Sequence, residues 1–492
     1  MQSARVWPLS GRVRDTTDIP EAPDRIGPVL VLRRVAGGRA ELAALVLRPE
    51  GETPGPITAE GATVAPRRRA ACDGVAAYRY DLSLPVDSAT GYRFEGRDYP
   101  VSTDVSGEMR IAFVSCNGEE HGDLSRAPAE RDAMWARLGA RHRAAPFSLL
   151  LHGGDQLYAD EVTGAHPATR DWPRAARRAL APETLAEAAD ALRRAYWARY
   201  RDALARPDVA WLAARVPSLA IWDDHDICDG WGSLLHGEER TPLGRALFAA
   251  AREAYLLFQH ATVAGDLPPG RLDPTGAQLG WRVDLPGLTL IAPDLRSERT
   301  RRRIMSPEAR GALRASLAAG AAERVLLISS VPLLGPRLSL VERAMRLTPW
   351  MEKYEDDLRD QWQSYAHRAE WRRMLRALAR LHEAGHAVTV LSGEIHLATR
   401  AEMATAAGPL HQLVASGVAH RAPPRAYADV LGTLARFGET PVPGHPIRLG
   451  PLPGARRIYT AERNVLILRR ASGAWRAAWD LEASGETPEL TL

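Results

Sequence analysis

Four short segments of this sequence hold most of the side chains able to bind metals or move protons, and each follows an apolar run. Ser115-Cys116-Asn117 follows residues 110–114. Gly153-Gly154-Asp155-Gln156-Leu157-Tyr158 follows 147–152. Asp223-Asp224-His225-Asp226 follows 217–222, and Gly393-Glu394-Ile395-His396 follows 387–392. The paired glycines let the backbone turn sharply off a strand and leave Asp155 at its tip. Asp155 and Tyr158, three apart in that turn, can face one centre. Adjacent Asp223 and Asp224 at a buried strand end repel unless a cation compensates them. Glu394 and His396 alternate in a segment expected to be extended, so both project to one side. Cys116, Asp155, Tyr158, Asp224, Glu394 and His396 together offer thiolate, carboxylate, phenolate and imidazole. That set fits a two-metal centre with a bridging carboxylate and metals about 3.5–4 Å apart, which polarises a phosphoryl oxygen and generates hydroxide at neutral pH. Singly, each segment has a plainer reading: a turn, a small buried thiol, a satisfied core histidine. Three carboxylates and an imidazole directly after the apolar run 219–222 are harder to justify structurally. The recurrence of all four segments favours function.

The elements that must position these residues read as alternating strands and helices. Apolar strands are expected at 110–115, 147–152, 217–222, 288–292, 324–329 and 387–391, with helices near 125–144, 174–205 and 370–383. This alternation predicts an α/β layered domain with buried strands, and ligands collect where such strands end. Before it, strand-like runs at 29–33, 40–48, 76–84 and 91–96 predict a small N-terminal β-sandwich domain over 1–105. Residues 106–492 then form the catalytic domain, closed by a β-hairpin within 456–481. Residues 335–370, with Trp350, Tyr354, Trp362 and Tyr365 among charged residues, are a candidate helical lid; a surface helix pair is the favoured alternative.

Composition narrows the classes. The 492 residues carry a formal net charge of +4, 25% charged residues and three cysteines. The excess is almost all arginine, Lys353 being the single lysine, and no basic block suggests nucleic-acid binding. Cys72, Cys116 and Cys228 are widely spaced, which fits a reducing compartment rather than a disulfide framework. The opening residues lack a secretory pattern, Arg33-Arg34 precedes no long apolar run, and no stretch would span a membrane. Cytoplasm is the expected location, and nothing specifies an oligomeric state.

The four segments resemble the Ser-Cys, Gly-Asp-x-x-Tyr, Trp-Asp-Asp-His and Gly-Asp/Glu-x-His signatures of the PhoD-like (alkaline phosphatase D) branch of the calcineurin-like metallophosphoesterases. The likeness covers about residues 108–420. It implies a metallophosphoesterase fold of two mixed β-sheets flanked by helices, with a small β domain before it. It also implies a role for each residue. Cys116 replaces the usual Asp on metal one, Asp155 bridges both metals, and Tyr158 ligates metal one, as a Tyr does beside ferric iron in purple acid phosphatases. Asp224 replaces an Asn on metal two. Glu394 reaches metal two and His396 metal one, while His225 lies beside the scissile phosphate. Arg296, in an Asp-x-Arg segment similar to the family's, could clamp phosphate oxygens. The chain departs from the wider pattern in lacking a His two residues after Cys116 and another at 327–330. Metal two is then all-oxygen and suits Ca²⁺, Mg²⁺ or Mn²⁺, while metal one suits Fe³⁺ or Zn²⁺.

The implied function is hydrolysis of a small phosphate ester, mono- or diester, by in-line attack of a metal-bridging hydroxide. One alternative is a non-catalytic metal-binding scaffold on a decayed phosphatase fold. A thiol enzyme using Cys116 is another, and leaves the carboxylates unexplained. Weaker candidates are Asp360 as a ligand and His121 or Asp123 at the mouth of the site. Residues 299–303 read as a solvated charge run.

Overall fold

The strands leading to the four segments bury both of their faces, and alternate residues meet different partners. The computed structural model describes residues 23–336 and 360–492. In it, Ile111 and Phe113 of strand Arg110–Val114 enter one large core, while Ala112 and Val114 pack with Trp135 and Leu138 of helix Ala133–Ala144. Leu326 and Ile328 of strand Arg324–Ser329 join the same large core. Val325 and Leu327 face away, onto Leu313 of helix Pro307–Ala318 and Leu375 of helix Arg368–Glu383. Two sheets therefore share an inner core and carry helices on their outer faces, as period-two runs apolar on both sides require.

The larger sheet has eleven strands, and Arg110–Val114, Leu149–Gly153 and Ser218–Ile221 lie side by side and parallel at its centre. Leu150 stands opposite both Ala112 and Ser218, so the three C-terminal ends fall level. The second sheet has eight strands. Leu288–Ala292, Arg324–Ser329, Ala387–Ser392 and Gly408–Val414 run parallel within it, with Ser392 opposite both Ser329 and Val414. Parallel neighbours need long crossovers, which is where the helices sit. The expected C-terminal hairpin forms from Asn464–Ala471 and Ala474–Leu481, and its first strand flanks Arg110–Val114 antiparallel. The helix expected near 125–144 is two pieces, Pro128–Arg131 and Ala133–Ala144. The one expected from 174 begins as an α-helix only at Pro182, a residue with no N–H to leave unpaired in a first turn.

The expectation of a separate sandwich before residue 105 needs correction. Ile26–Ala36, Arg39–Pro49, Arg67–Cys72 and Val75–Pro85 belong to the larger sheet, which Ile26–Ala36 enters by pairing in parallel with Ser218–Ile221. Ile57–Ala59, Ala62–Val64, Ala89–Phe94 and Arg97–Ser102 form a four-stranded sheet of their own. Tyr80 and Phe94 meet edge to face across these layers at 5.8 Å. Two-layer packing is thus present, but one layer continues into the site-bearing sheet. The cause is the apolar edge of Ile26–Ala36: its Leu30 and Val31 are buried, and an unpaired apolar edge seeks a partner. Residues 1–22, and residues 337–359 of the candidate lid, lie outside the described residues. Its remainder brings in Asp360, Gln361 and Trp362, all buried. No helix among the described residues is long and apolar enough to cross a membrane.

Candidate metal centre

The four segments meet at the C-terminal ends of the parallel strands of both sheets. Two loops are stitched by their backbones, Cys116 N–H donating to Gly154 O (3.2 Å) and Asn117 N–H to Asp155 O (2.8 Å). The glycines are required there. A Cβ on Gly153 would lie 2.3 Å from the Phe113 ring, and Gly154 has φ +109° with Asp223 against it. Cys116, Asp155, Glu394 and His396 all have positive φ, at 55°, 54°, 68° and 53°. Non-glycine residues held there cost on the order of 1–3 kcal/mol each and gather at functional sites. The expected extended course of 394–396 is therefore corrected. The chain turns at both residues, which sends Glu394 toward the buried acids and His396 toward Tyr158.

Asp155, Asp223 and Asp224 each place a carboxylate oxygen within 4.8 Å of the others, and all three are buried. Burial pushes the Asp155 carboxyl well up, and Asp223 and Asp224 add to this against the pull of His225. Asp223 and Asp224 are also raised by burial, although Arg296 opposes it. Asp155 Oδ1 and Asp223 Oδ2 are buried without a hydrogen-bond donor. Asp223 Oδ1 accepts from Ser330 Oγ (2.9 Å). Glu394 faces the same acids, and burial followed by their charge raises it well above the carboxylate range, but both of its oxygens accept from Gln361 Nε2 (2.8 Å each).

Arg296 does not present its fork to an open cavity, which corrects its expected role on phosphate. The side chain is fully buried and already committed to three carboxylates. Its Nε donates to Asp223, Nη1 lies 2.5 Å from Asp360 Oδ2, and Nη2 lies 3.3 Å from Asp224 Oδ1. Arg299 is likewise buried, 3.1 Å from Asp360 Oδ1, so 299–303 is not a solvated run throughout. Asp360 stands between the two arginines, behind the acids. Asp123 is corrected too: it is buried and neutralised by Arg126, Arg199 and Arg206, and Arg199 also donates to Tyr158 O (3.1 Å). Asp123 therefore anchors the Tyr158 backbone from behind.

On the other side of Asp155, Cys116 Sγ lies 3.4 Å from Asp155 Oδ2 and 3.1 Å from Ser416 Oγ. The Tyr158 hydroxyl is 2.9 Å from His396 Nε2. The Tyr158 ring stacks on His225 with centroids 4.3 Å apart. Burial raises the Cys116 thiol and the Tyr158 phenol well above their usual ranges and holds His396 well below its own. His225 carries a partner that sequence reasoning did not assign. Its Nδ1–H donates to Asp160 Oδ2 (2.9 Å), while Asp160 Oδ1 accepts from Asp229 N–H (2.6 Å). Burial alone would lower His225, but Asp160 and Asp224 outweigh it and raise it well above the usual imidazole value. Asp160 sits five residues beyond Asp155 in the same segment, so this partner was within reach of the sequence. Glu120 and His420, which lie against His396 and His225, were not.

Buried carboxylates pushed toward neutrality, with oxygens lacking any donor, fit a hard cation among Asp155, Asp223 and Asp224. Thiol, phenol and imidazole beside them fit a softer one. Residues 123–354 match the family model described as PhoD related phosphatase. The solved structure of PhoD aligns over 98% of this chain and 90% of its own, with a TM-score of 0.57 and 13% identity, a likeness of fold. An uncharacterized Saccharomyces cerevisiae protein, YGR266W, is 22% identical over 401 residues, 66% of this chain, and the match spans 56% of the yeast protein. The family match thus covers the centre of the chain, just under half of its length, and the fold of PhoD is shared along nearly the whole of it.

Proposed function

We propose that this chain is a metal-dependent hydrolase of small phosphate esters, monoesters or diesters, within the calcineurin-like superfamily. One observation carries the proposal: buried carboxylates with unpartnered oxygens stand beside a histidine, His225, whose Nδ1 is held by Asp160. Asp155, Asp223 and Asp224 would hold a hard ion such as Ca²⁺, Mg²⁺ or Mn²⁺, with Glu394 behind Gln361. Tyr158, His396 and Cys116 would hold Fe³⁺ or Zn²⁺. Such ions supply charge neutralisation at the phosphoryl group and a water acidic enough to attack at neutral pH.

The remaining work belongs to the chain. Asp160 fixes the His225 tautomer and leaves Nε2 directed toward the mouth, where it donates a proton to the departing oxygen. The stacked Tyr158 ring holds the imidazole plane. Arg296 keeps Asp223 and Asp224 in place without touching substrate. A thiol mechanism is disfavoured, because burial and Asp155 raise the Cys116 thiol, whereas a nucleophilic cysteine needs a lowered one. The test is turnover of p-nitrophenyl phosphate and its bis-ester with metal content measured on the same sample. His225→Ala is expected to lower kcat by about 10²- to 10⁴-fold with metal retained. Unchanged turnover overturns the role of His225. A wild-type chain that binds metal yet cleaves neither ester is a scaffold.

A further inference from the structure

Glu120, His396 and His420 come from three loops, after Arg110–Val114, Ala387–Ser392 and Gly408–Val414, and place one ligand atom each within 4.8 Å of the others. His420 Nδ1–H donates to the Arg421 carbonyl at 2.7 Å, since a carbonyl can only accept. That fixes the tautomer and leaves Nε2 with a lone pair, the arrangement typical of a metal-bound imidazole. Yet Nε2 lies 3.3 Å from Glu120 Oε2. Two acceptors so close need a positive charge between them, either a proton or a metal ion. Ligand atoms about 2.0–2.1 Å from a tetrahedral metal are themselves about 3.3–3.4 Å apart. The Tyr158 hydroxyl, 2.9 Å from His396 Nε2, adds a fourth oxygen or nitrogen donor at similar spacing.

The rings of His396 and His420 stack face to face, with centroids 3.4 Å apart and planes 14° from parallel. The frame is rigid. Val418 N–H donates to Ser115 O, Ala419 and His420 N–H donate to Cys116 O, and His396 N–H donates to Ser416 Oγ (2.8 Å). The Glu120 side chain is 37% exposed and that of His420 14%, so one side of the cluster faces solvent. The acids Asp155, Asp223 and Asp224 are buried in contrast.

We propose that Glu120 and His420 join His396 and Tyr158 in holding a transition-metal ion, zinc or iron, at the mouth of the site. This rests on the metal-dependent reading above and adds two ligands to it. Two imidazoles, one carboxylate and one phenol suit zinc or iron, whereas the inner acids suit a hard ion. The open side leaves a coordination position for substrate oxygen.

The test uses the full chain loaded separately with Zn²⁺ and Fe³⁺, with metal bound per chain measured by elemental analysis after dialysis. His420→Ala and Glu120→Gln, both at solvent-facing positions, are each expected to weaken Zn²⁺ binding by about 100-fold or more, since losing a ligand outweighs losing an outer partner. Thermal unfolding of the metal-free variants should match wild type. In the iron form, the visible phenolate-to-iron absorption should shift in His420→Ala and vanish in Tyr158→Phe. If His420→Ala and Glu120→Gln bind Zn²⁺ like wild type while Asp155→Asn does not, the pair is a proton-bridged ion pair and this proposal is overturned. If wild type itself binds neither metal, the metal-dependent reading fails with it.

Discussion

At the scale of single residues, the acid cluster depends on Arg296 for its charge. One guanidinium faces Asp223, Asp224 and Asp360, all buried. Removing one partner from a buried charge set leaves the rest uncompensated and typically costs about 3–5 kcal/mol. Arg296→Ala is therefore expected to lower the unfolding midpoint strongly without metal. A divalent cation should restore more of that loss than it adds to wild type, because binding to the native state stabilises it and replaces the missing charge. The measurement is thermal unfolding with and without Mn²⁺ for both proteins. An equal metal increment in the two would show that Arg296 and the cation do not share a task. Arg296→Lys keeps the charge but loses the fork, and should fall between them. This was not legible beforehand, since Arg296 meets Asp223 and Asp360 across a long separation in the chain, and a lone Asp-x-Arg reads equally well as a phosphate clamp.

At the scale of elements, strands bearing the site were legible because both faces are apolar, as in Arg324–Ser329, and because each ends in residues a core cannot absorb. Half-exposed elements were less so. Thr399–Thr405 alternates buried Ala401 and Met403 with half-exposed Arg400 and Glu402, a pattern weak in β-branched residues, and was not read as a strand. Cys116, Asp155, Tyr158 and His396 could be placed from short segments, while His420 could not, lying beyond the last recognised segment. Helix Ala133–Ala144 shows what burial does to an ordinary residue. His142 near its end is buried against Phe147 and Trp211, and its Nδ1 accepts the Phe147 N–H at 3.1 Å. Burial, with Arg215 and Arg110 nearby, lowers it to about 4. The unfolded chain protonates this group near pH 6.5 but the native chain only near 4, so unfolding takes up a proton between those values. Stability from His142 is thus complete above about 6.5, falls as pH drops through the window, and levels below about 4, by on the order of 1–3 kcal/mol. His142→Gln, which can still accept from Phe147, should flatten the fall in unfolding midpoint over that range. A slope identical to wild type would assign the acid sensitivity elsewhere.

At the scale of the whole molecule, the strands before residue 105 and the site are built on one sheet, and this sets how the chain unfolds. Val31 lies opposite Ser218, and Ile26–Ala36 shares its core with Leu219 and Ile221, directly behind Asp223 and Asp224. Arg79 and Arg69 reach from the same region to Asp266, beyond helix Pro242–His260. A free-standing N-terminal domain would melt on its own and survive proteolysis as a fragment of about 100 residues. The shared sheet predicts the opposite. Removing residues 1–105 would expose the buried edge of Ser218–Ile221 and the apolar face packed on it, so the truncated chain should aggregate rather than fold. Calorimetry of the intact chain should show the N-terminal strands and the site melting in one transition, with the calorimetric and van't Hoff enthalpies in agreement. Limited proteolysis should yield no stable fragment ending near residue 105. Two resolved transitions, or a soluble and folded 106–492 chain, would restore the independent domain and separate the support of the Asp223 loop from the strand beside it.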